Sequence, residues 1–272
     1  MQLRTSVVWI TGASSGIGEA LALQAAAAGA KLILSARRVD ALERVRAACP
    51  DPARVALLPF DLAAFDAEAM HQAAVRPFGP VDILVNNGGV SQRSLLVDTR
   101  MDTYRRLFEI DFFAVVALTR AVVPAMQARG RGHVVTISSV TGKVGVPLRT
   151  GYAAAKHALQ GFMDAARAEL ARDGLQFTTV CPGFVRTEIS FNALRGDGSR
   201  HNQLDPGQAG GLSAQVCAER IWRAVEHDRA ELLIGREAWA VLLQRLAPGL
   251  LRMVLCRLPL ARFQNSTSNS SS

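Results

Sequence analysis

The sequence has 272 residues, 49% of them apolar, and a formal net charge of +8. This length suits one large α/β domain or two small ones, and the apolar content is too high for a disordered chain. All but three of the 31 basic residues are arginines, and they are scattered along the chain, which argues against a nucleic-acid-binding face.

Cysteine and histidine residues are too dispersed to predict a metal site. The four cysteines show no CxxC spacing, and the five histidines are spread along the chain. Widely spaced cysteines are typical of reduced thiols in a cytoplasmic protein. The apolar residues 7–10 lead directly into a glycine-rich turn, so we expect the amino terminus to belong to the fold and not to a signal peptide.

The first predicted element is a buried strand over residues 7–10, and a helix follows over residues 19–29. The turn between them reads TGASSGIG and has glycines at positions 12, 16 and 18. In this setting glycines let the backbone approach a pyrophosphate, which binds at the amino terminus of the helix. The segment therefore predicts a dinucleotide-binding turn.

Two arginines follow the second predicted strand, which covers residues 31–36. Arg37 and Arg38 stand where an NAD-binding protein places an acidic residue for the adenosine ribose. An arginine suits the 2′-phosphate of NADP(H) instead, because its planar guanidinium pairs with phosphate oxygens. The sequence thus favours NADP(H) over NAD(H); the alternative is that both arginines are solvated loop residues.

Asp61 has two readings. It follows the third predicted strand, residues 55–58, and would either hydrogen-bond the adenine amino group or cap the helix predicted over residues 66–75. From the residue type alone we favour the cap. The fourth strand, residues 81–85, ends in Asn86-Asn87-Gly88-Gly89, which predicts a tight turn that backs onto the cofactor.

A tyrosine and a lysine four residues apart give the clearest chemical signal. Tyr152 and Lys156 lie on a helix predicted over residues 151–172, where this spacing places them on one face. An ammonium beside a phenol favours the phenolate, which makes the hydroxyl useful as a general acid or base. Ser139 ends the fifth strand, residues 133–138, at the edge where open α/β sheets bind ligands. The alternative is a surface lysine over a packed tyrosine.

Strands alternate with helices along the chain up to the last predicted strand, residues 231–234. This alternation predicts an α/β fold with one doubly wound, Rossmann-type parallel sheet in a single domain over residues 1–235. Within it, the polar residues 184–213 predict a substrate lid. Residues 236–264 predict an apolar helical extension, and residues 265–272 a disordered tail.

Together these motifs resemble the short-chain dehydrogenase/reductase family over about residues 5–235. The glycine pattern, the Asn86–Gly89 turn, Ser139, Tyr152-x-x-x-Lys156 and Pro182-Gly183 carry the resemblance. It implies that Tyr152 is the general acid or base, that Ser139 holds the substrate oxygen, and that Lys156 also binds the nicotinamide ribose. The cofactor contacts it implies are Gly12, Ser14, Ser15, Gly16, Ile17, Gly18, Arg37, Arg38, Asp61, Leu62, Asn87, Gly88, Tyr152, Lys156, Pro182, Gly183, Val185 and Thr187.

Asp111 departs from the family pattern. It lies on a long apolar helix predicted over residues 101–129, where the family normally carries an asparagine that supports a water-linked proton relay to the lysine. An ionised carboxylate accepts hydrogen bonds but does not donate them. It would also pair with Lys156 and weaken its effect on Tyr152. We therefore place Asp111 in the catalytic group and expect slowed but not abolished catalysis.

The segment Gly88–Arg93 and the carboxyl-terminal third also resemble the branch of this family that has membrane-associated members and lipid-like substrates. Residues 236–260 are rich in leucine with interspersed arginines and a break at Pro248, which suits a helix pair at a membrane surface. The alternatives are a cover over the substrate cleft or a subunit contact. The predicted localisation is cytoplasmic, with peripheral membrane contact through this segment.

The sequence predicts an oxidoreductase that transfers a hydride between NADP(H) and a carbonyl or secondary alcohol of a hydrophobic small molecule. One alternative is a catalytically weak NADP(H)-binding sensor or interaction protein on the same fold, which Asp111 supports. The other is a sugar-nucleotide epimerase, which normally has a different glycine spacing and a larger substrate domain. No metal is expected, and we expect a homodimer or a homotetramer.

Overall fold

The computed structural model describes residues 2–257, and within them seven strands form one parallel sheet in the order β3-β2-β1-β4-β5-β6-β7. This order confirms the predicted doubly wound sheet. The strands are β1 Val7–Thr11, β2 Lys31–Ser35, β3 Val55–Leu57, β4 Ile83–Asn86, β5 Gly132–Ile137, β6 Leu175–Pro182 and β7 Glu231–Ile234.

Helices cover both faces of the sheet. They are α1 Gly16–Ala27, α2 Val39–Ala47, α3 Ala67–Val75, α4 Met101–Phe108, α5 Ala114–Ala128, α6 Thr150–Glu169, α7 Pro206–Ala209, α8 Ala214–Glu226, α9 Ala238–Leu246 and α10 Pro248–Arg257. The long helix predicted over residues 101–129 consists of α4 and α5 joined by a π-helical turn at Glu109–Phe113.

The sheet separates two apolar cores because neighbouring side chains of a strand point to opposite faces. Val8 and Ile10 pack in the core that contains α1 and α8, whereas Trp9 packs in the core that contains α5 and Met163 of α6. Both faces are therefore buried, which explains why the strands read as continuous apolar runs. Each large side chain buried in this way contributes about 1.5–3 kcal/mol.

The strand order reverses beside β1, which pairs with β2 on one side and β4 on the other. The connections on the two sides of such a reversal run to opposite faces of the sheet. A crevice therefore opens between them at the carboxyl ends of the strands. The glycine-rich turn after β1 and the Asn86–Gly89 turn after β4 both lie there. This position is where the sequence predicts the cofactor.

The cap predicted at Asp61 is wrong. Asp66 is the residue that caps α3, and its Oδ1 accepts the N–H of Ala69 at 3.0 Å. Asp61 lies five residues earlier in a separate turn, where its Oδ1 accepts the N–H of Ala63 at 3.0 Å. Both aspartates precede the helix. Asp66 is the cap because the first helical turn begins at the next residue, Ala67.

The segment predicted as a lid, residues 184–213 and called the lid segment below, is mostly irregular and contains only the short helix α7. It packs on the loop after β4, where the N–H of Arg93 donates to Leu194 O and the N–H of Leu194 donates to Ser91 O, both at 2.8 Å. Of the predicted carboxyl-terminal extension, α9 and α10 are described. Residues 258–264 of that extension and the predicted tail, residues 265–272, lie outside the described residues.

A buried histidine in β5 predicts a loss of stability in acid. His133 Nε2 lies 2.8 Å from Thr178 Oγ1, and burial lowers the pKa of His133 to about 4. Since an unfolded histidine titrates near 6.5, the unfolded state binds the extra proton as the pH falls from about 6.5 to about 4. We expect this residue to cost about 3 kcal/mol of unfolding free energy across that window.

Urea unfolding between pH 7 and pH 4 measures this effect. His133→Gln is expected to remove its contribution of about 3 kcal/mol from the pH dependence. His227→Gln, the same change at an exposed position, is the control. Equal pH dependence in the wild type and His133→Gln would show that another group titrates.

Candidate active site

Two turns meet closely at the crevice beside β1. Gly12 has a φ of +64°, and a Cβ added to it would lie 2.7 Å from the Cα of Gly88. The Asn87 Nδ2 group donates to Thr11 O at 3.0 Å and to Gly12 O at 3.1 Å. Thr11 Oγ1 in turn accepts the N–H groups of Asn87 and Gly88, each at 3.0 Å. Gly12 and Gly88 are therefore required for this close approach. Thr11, the first residue of the glycine-rich motif, links the two turns.

The amino terminus of α1 is suited to an anion. Ser15 is the N-cap residue, and its side chain makes no capping hydrogen bond. The N–H groups of the first helical turn have no partner within the helix, and they carry the positive end of its dipole. Gly16 has a φ of +60°, and a Cβ added there would lie 2.9 Å from Thr187 Cγ2. A bare helix end with close glycines fits the pyrophosphate of a dinucleotide.

The other predicted cofactor residues lie around this crevice. Arg37 and Arg38 follow β2 and are exposed, and the Arg38 side chain makes no capping bond to α2. Leu62 packs against Gly88, since a Cβ on that glycine would lie 2.5 Å from Leu62 Cδ1. Asp61 is half-buried.

The turn after β6 brings the remaining predicted cofactor residues, Gly183, Val185 and Thr187, to the same edge of the sheet. The N–H of Gly183 donates to Ile234 O at 2.7 Å, so the residue after Pro182 is fixed to β7. Val185 is buried and forms a bridge with Leu212. Thr187 Oγ1 donates to Val185 O at 3.4 Å, and Thr187 lies against the glycine-rich turn.

Lys156 is buried within the protein, with only 4% of its surface exposed. Its Nζ lies 3.3 Å from Asp111 Oδ1 and donates to Ile137 O at 3.1 Å. The same Nζ lies 5.7 Å from the centroid of the Tyr152 ring. Burial favours the neutral amine, but the negative charge of Asp111 outweighs it, and the pKa of Lys156 is raised. The ammonium is therefore held charged beside the tyrosine.

Asp111 lies in the π-helical turn, a widened turn that is frequent at functional sites, and it is fully buried. Its Oδ1 accepts the N–H of Val90 at 3.1 Å, while its Oδ2 has no hydrogen-bond partner among the described residues. Burial raises the pKa of Asp111, although Lys156 and the Val90 N–H oppose this shift. Asp111 thus contacts Lys156, as expected from the sequence.

Ser139 follows β5 and is half-buried. Its Oγ accepts the N–H of Thr141 at 3.1 Å and the Thr141 hydroxyl at 2.8 Å. Its own proton is directed to Pro182 O across 3.4 Å. This last bond is long, so a substrate oxygen at a shorter distance would be a better acceptor.

Gln92 is a site residue that no sequence pattern identified. It is fully buried, and its Oε1 accepts the N–H groups of Gly151 at 2.7 Å and Tyr152 at 3.2 Å. Its Nε2 donates to the hydroxyl groups of Ser94 and Thr99 at 3.0 and 3.1 Å. The helix that carries the tyrosine is therefore capped by a distant side chain, since Arg149 at its N-cap makes no such bond.

A phenol, a buried ammonium and a serine hydroxyl thus lie on two neighbouring elements, α6 and the end of β5. Tyr152 is 6% exposed and Ser139 is half-buried. A phenol next to a fixed ammonium supports proton transfer, and a hydroxyl donor supports a developing negative charge on oxygen. The arrangement is suited to reactions in which a carbonyl becomes an alcohol or the reverse.

Comparison with known proteins identifies relatives of this architecture. A family profile described as short chain dehydrogenase matches residues 6–196. The chain is 40% identical to Dehydrogenase/reductase SDR family member 7B of Rattus norvegicus over 280 residues, which cover 98% of this chain and 85% of that protein. It is 41% identical to Dehydrogenase/reductase SDR family member 7 of Homo sapiens over 243 residues, which cover 87% of this chain and 72% of that protein.

A solved structure has the same fold. The crystal structure of a short-chain dehydrogenase from Streptomyces avermitilis superposes with a TM-score of 0.79 at 30% sequence identity. The match covers 92% of this chain and 96% of that one.

Proposed function

Because this chain belongs to the short-chain dehydrogenase/reductase family and is therefore an oxidoreductase, we propose that it transfers a hydride between NADP(H) and a carbonyl or secondary alcohol. The observation that carries the proposal is the buried Lys156 ammonium, fixed next to Tyr152 at the ligand-binding edge of the sheet. The sequence predicts that residues 90–96, 144–149 and 184–212 line the substrate space. They are mostly apolar, with Arg93, Arg149 and Arg186 interspersed, which favours a hydrophobic substrate.

Each residue of the site has a defined role in this reaction. Tyr152 gives a proton to the substrate oxygen in reduction and removes it in oxidation. Ser139 exchanges its long bond to Pro182 O for a hydrogen bond to the same substrate oxygen, which stabilises the developing alkoxide. Lys156 stabilises the phenolate by its charge. When bound, the nicotinamide supplies or accepts the hydride.

NADP(H) fits the residues present. The pyrophosphate would bind at the bare amino terminus of α1, between Gly12 and Gly18, where Ser15 leaves the helix uncapped. Arg37 and Arg38, both exposed at the end of β2, would hold the 2′-phosphate.

Cofactor preference tests this assignment. Arg37→Asp is expected to lower kcat/KM for NADPH by about 10- to 100-fold, since a hydrogen bond to a charged group contributes about 1.5–3 kcal/mol. The use of NADH relative to NADPH should rise accordingly. Arg44→Asp is the matched control, because Arg44 is exposed on α2 and the change in charge is identical. An unchanged ratio of the two cofactors in Arg37→Asp would exclude Arg37 as the phosphate-binding residue.

A second candidate is an NADP(H)-binding sensor with little turnover. The ion pair between Asp111 and Lys156 favours it, because a carboxylate reduces the effect of the ammonium on Tyr152. The two candidates differ in one measurement, the consumption of NADPH with a panel of ketones, aldehydes, steroids and retinoids. Turnover of any of them that depends on Tyr152 supports the enzyme, and cofactor binding with no turnover supports the sensor.

Peripheral membrane contact through α9 and α10 is part of the proposal. Trp239 is 56% exposed, Leu246 and Leu250 are also exposed, and Arg245 and Arg252 lie among them. Apolar side chains flanked by arginines suit an anionic bilayer surface. Within residues 2–257, no helix has the length and hydropathy to cross a membrane. Failure to sediment with phosphatidylserine vesicles would contradict the contact.

We also propose a homodimer or homotetramer. The ring of Phe113 is exposed and lies 5.2 Å from that of Phe112, which in turn contacts Phe162. Exposed aromatic clusters are typical of protein interfaces. Light scattering that gives the mass of one chain would contradict this assembly.

A further inference from the structure

Two buried arginines share one carboxylate beside the helix that carries Tyr152. Arg93 Nε donates to Asp205 Oδ1 at 3.1 Å, Arg149 Nη2 donates to Asp205 Oδ2 at 3.0 Å, and Arg93 Nη2 contacts the latter oxygen as well. The side chains of Arg93, Arg149 and Asp205 are 6%, 17% and 17% exposed. Asp205 belongs to the lid segment, so this cluster joins the lid to the wall of the site.

Arg149 lies close to Tyr152 along the chain and contacts the segment after β6. It precedes Tyr152 by three residues at the start of α6, and its Cζ lies 5.8 Å from the ring centroid of Phe184, which follows Pro182-Gly183. Burial and the charge of Arg93 lower the pKa of Arg149 to about 10, while Asp205 and Tyr152 act in the opposite direction. The guanidinium is therefore charged at neutral pH.

The cluster carries an excess of positive charge. Two guanidinium groups face one carboxylate, and the nearby His201 adds little, because burial and Arg93 lower the pKa of its imidazole. A buried charge without a partner is costly, so such a site gains from a second anion.

The two arginines differ in how many hydrogen bonds their guanidinium groups donate. Arg93 donates to both Asp205 oxygens, to Gln92 O at 2.6 Å and to Ser91 Oγ at 3.2 Å. The bond from Arg149 to Asp205 uses one of the five N–H donors of that guanidinium. Arg93 is thus a fixed support, and Arg149 is the group with donors left for a ligand.

We propose that Arg149, supported by Arg93, binds an anionic group on the substrate, a carboxylate or a phosphate, at the end away from the reacting carbonyl. This inference rests on the proposed function and narrows its substrate to hydrophobic ketones or alcohols that carry such a group. Asp205 already shows that a carboxylate fits the two guanidinium groups. The anion would share the cluster with Asp205 or replace it, which links substrate binding to the position of the lid.

Matched ketones test the inference. The probes are 6-oxoheptanoate, its uncharged amide, and 5-oxohexyl phosphate, whose flexible chains let the anion reach the cluster. In the wild type, kcat/KM for the acid should exceed that for the amide by about 10- to 100-fold, as expected for hydrogen bonds to a charged group. Arg149→Gln should reduce this ratio to near one, whereas Arg200→Gln, at an exposed lid position, should retain it. The phosphate arm shows which anion is preferred.

Two further measurements keep the test decisive. Asp205→Asn removes the competing carboxylate and should increase the preference for the acid over the amide. This variant tests the anion site if Arg149→Gln does not fold. Thermal unfolding with NADPH present should show a larger rise in Tm with the acid than with the amide.

Equal reduction of acid and amide by the wild type would overturn the anion site and leave the proposed function intact. An acid-specific rise in Tm without any turnover would retain the site and overturn the function, and the lack of any difference in both assays would overturn the site.

Discussion

Tyr152→Phe is expected to lower kcat by about 100- to 10,000-fold, the range that a general acid or base contributes. The substitution removes only the phenolic oxygen, so the ring can still pack beside Lys156 at the end of the sheet. NADPH binding, followed by the fluorescence of the cofactor, should change little. The measurement is the turnover of whichever ketone the wild type reduces, at saturating cofactor.

The chain offers a matched control, because its only other tyrosine is Tyr104. The hydroxyl of Tyr104 lies 2.8 Å from Thr150 Oγ1, at the first residue of α6. Tyr104→Phe therefore makes the same chemical change on α4, next to the start of α6, without touching the proposed proton donor. Turnover that survives Tyr152→Phe, or that falls equally in both variants, would rule out Tyr152 as the acid or base.

Asp111 is expected to give opposite results with two different replacements. Asp111→Asn keeps an acceptor for the Val90 N–H and for the Lys156 ammonium but removes the negative charge. The Ile137 carbonyl and the new amide oxygen still accept hydrogen bonds from the Lys156 ammonium. Its charge, which no carboxylate then offsets, would act more strongly on Tyr152. We expect turnover to rise about tenfold, which corresponds to about 1.4 kcal/mol in the activation free energy.

Asp111→Leu removes the acceptor as well. Within residues 2–257, it leaves the buried ammonium with the Ile137 carbonyl as its remaining hydrogen-bond partner, and breaking a buried ion pair costs about 3–5 kcal/mol. Guanidinium unfolding measures this loss, and the asparagine variant is its control. If Asp111→Asn gives no increase in turnover, the carboxylate does not restrain catalysis. If Asp111→Leu is as stable as the wild type, the pair is not an energetically important contact.

Some site contacts could not be predicted because they join distant parts of the chain. Gln92 is 59 residues before Gly151, and Arg93 is 112 residues before Asp205. In the sequence, Gln92 reads as an ordinary polar loop residue, and Arg93 only as an arginine of the predicted substrate lining. The structure gives each of them a role only because packing of the lid and α6 on the loop after β4 brings its partner within hydrogen-bond distance.

Local ambiguity also limited the prediction within a single connection. Asp61 and Asp66 are equally good capping residues by type, and Asp66 is the cap because the chain makes an additional turn before α3 begins. Asp111 was recognised only through the family resemblance, since periodicity marked the residues around it simply as an apolar helix. Its π-helical turn carries no pattern in the sequence that distinguishes it from the flanking α-helix.

The amino-acid order by itself determined the alternation of strands and helices, the glycine-rich turn and the shared face of Tyr152 and Lys156. These features depend on residues that are neighbours in the chain, where dihedral preferences and helix periodicity act directly. Only the tertiary structure decided which side chains cap α6 and how Arg93, Arg149 and Asp205 meet. Those contacts depend on how separate elements pack, and that arrangement is a property of the whole core.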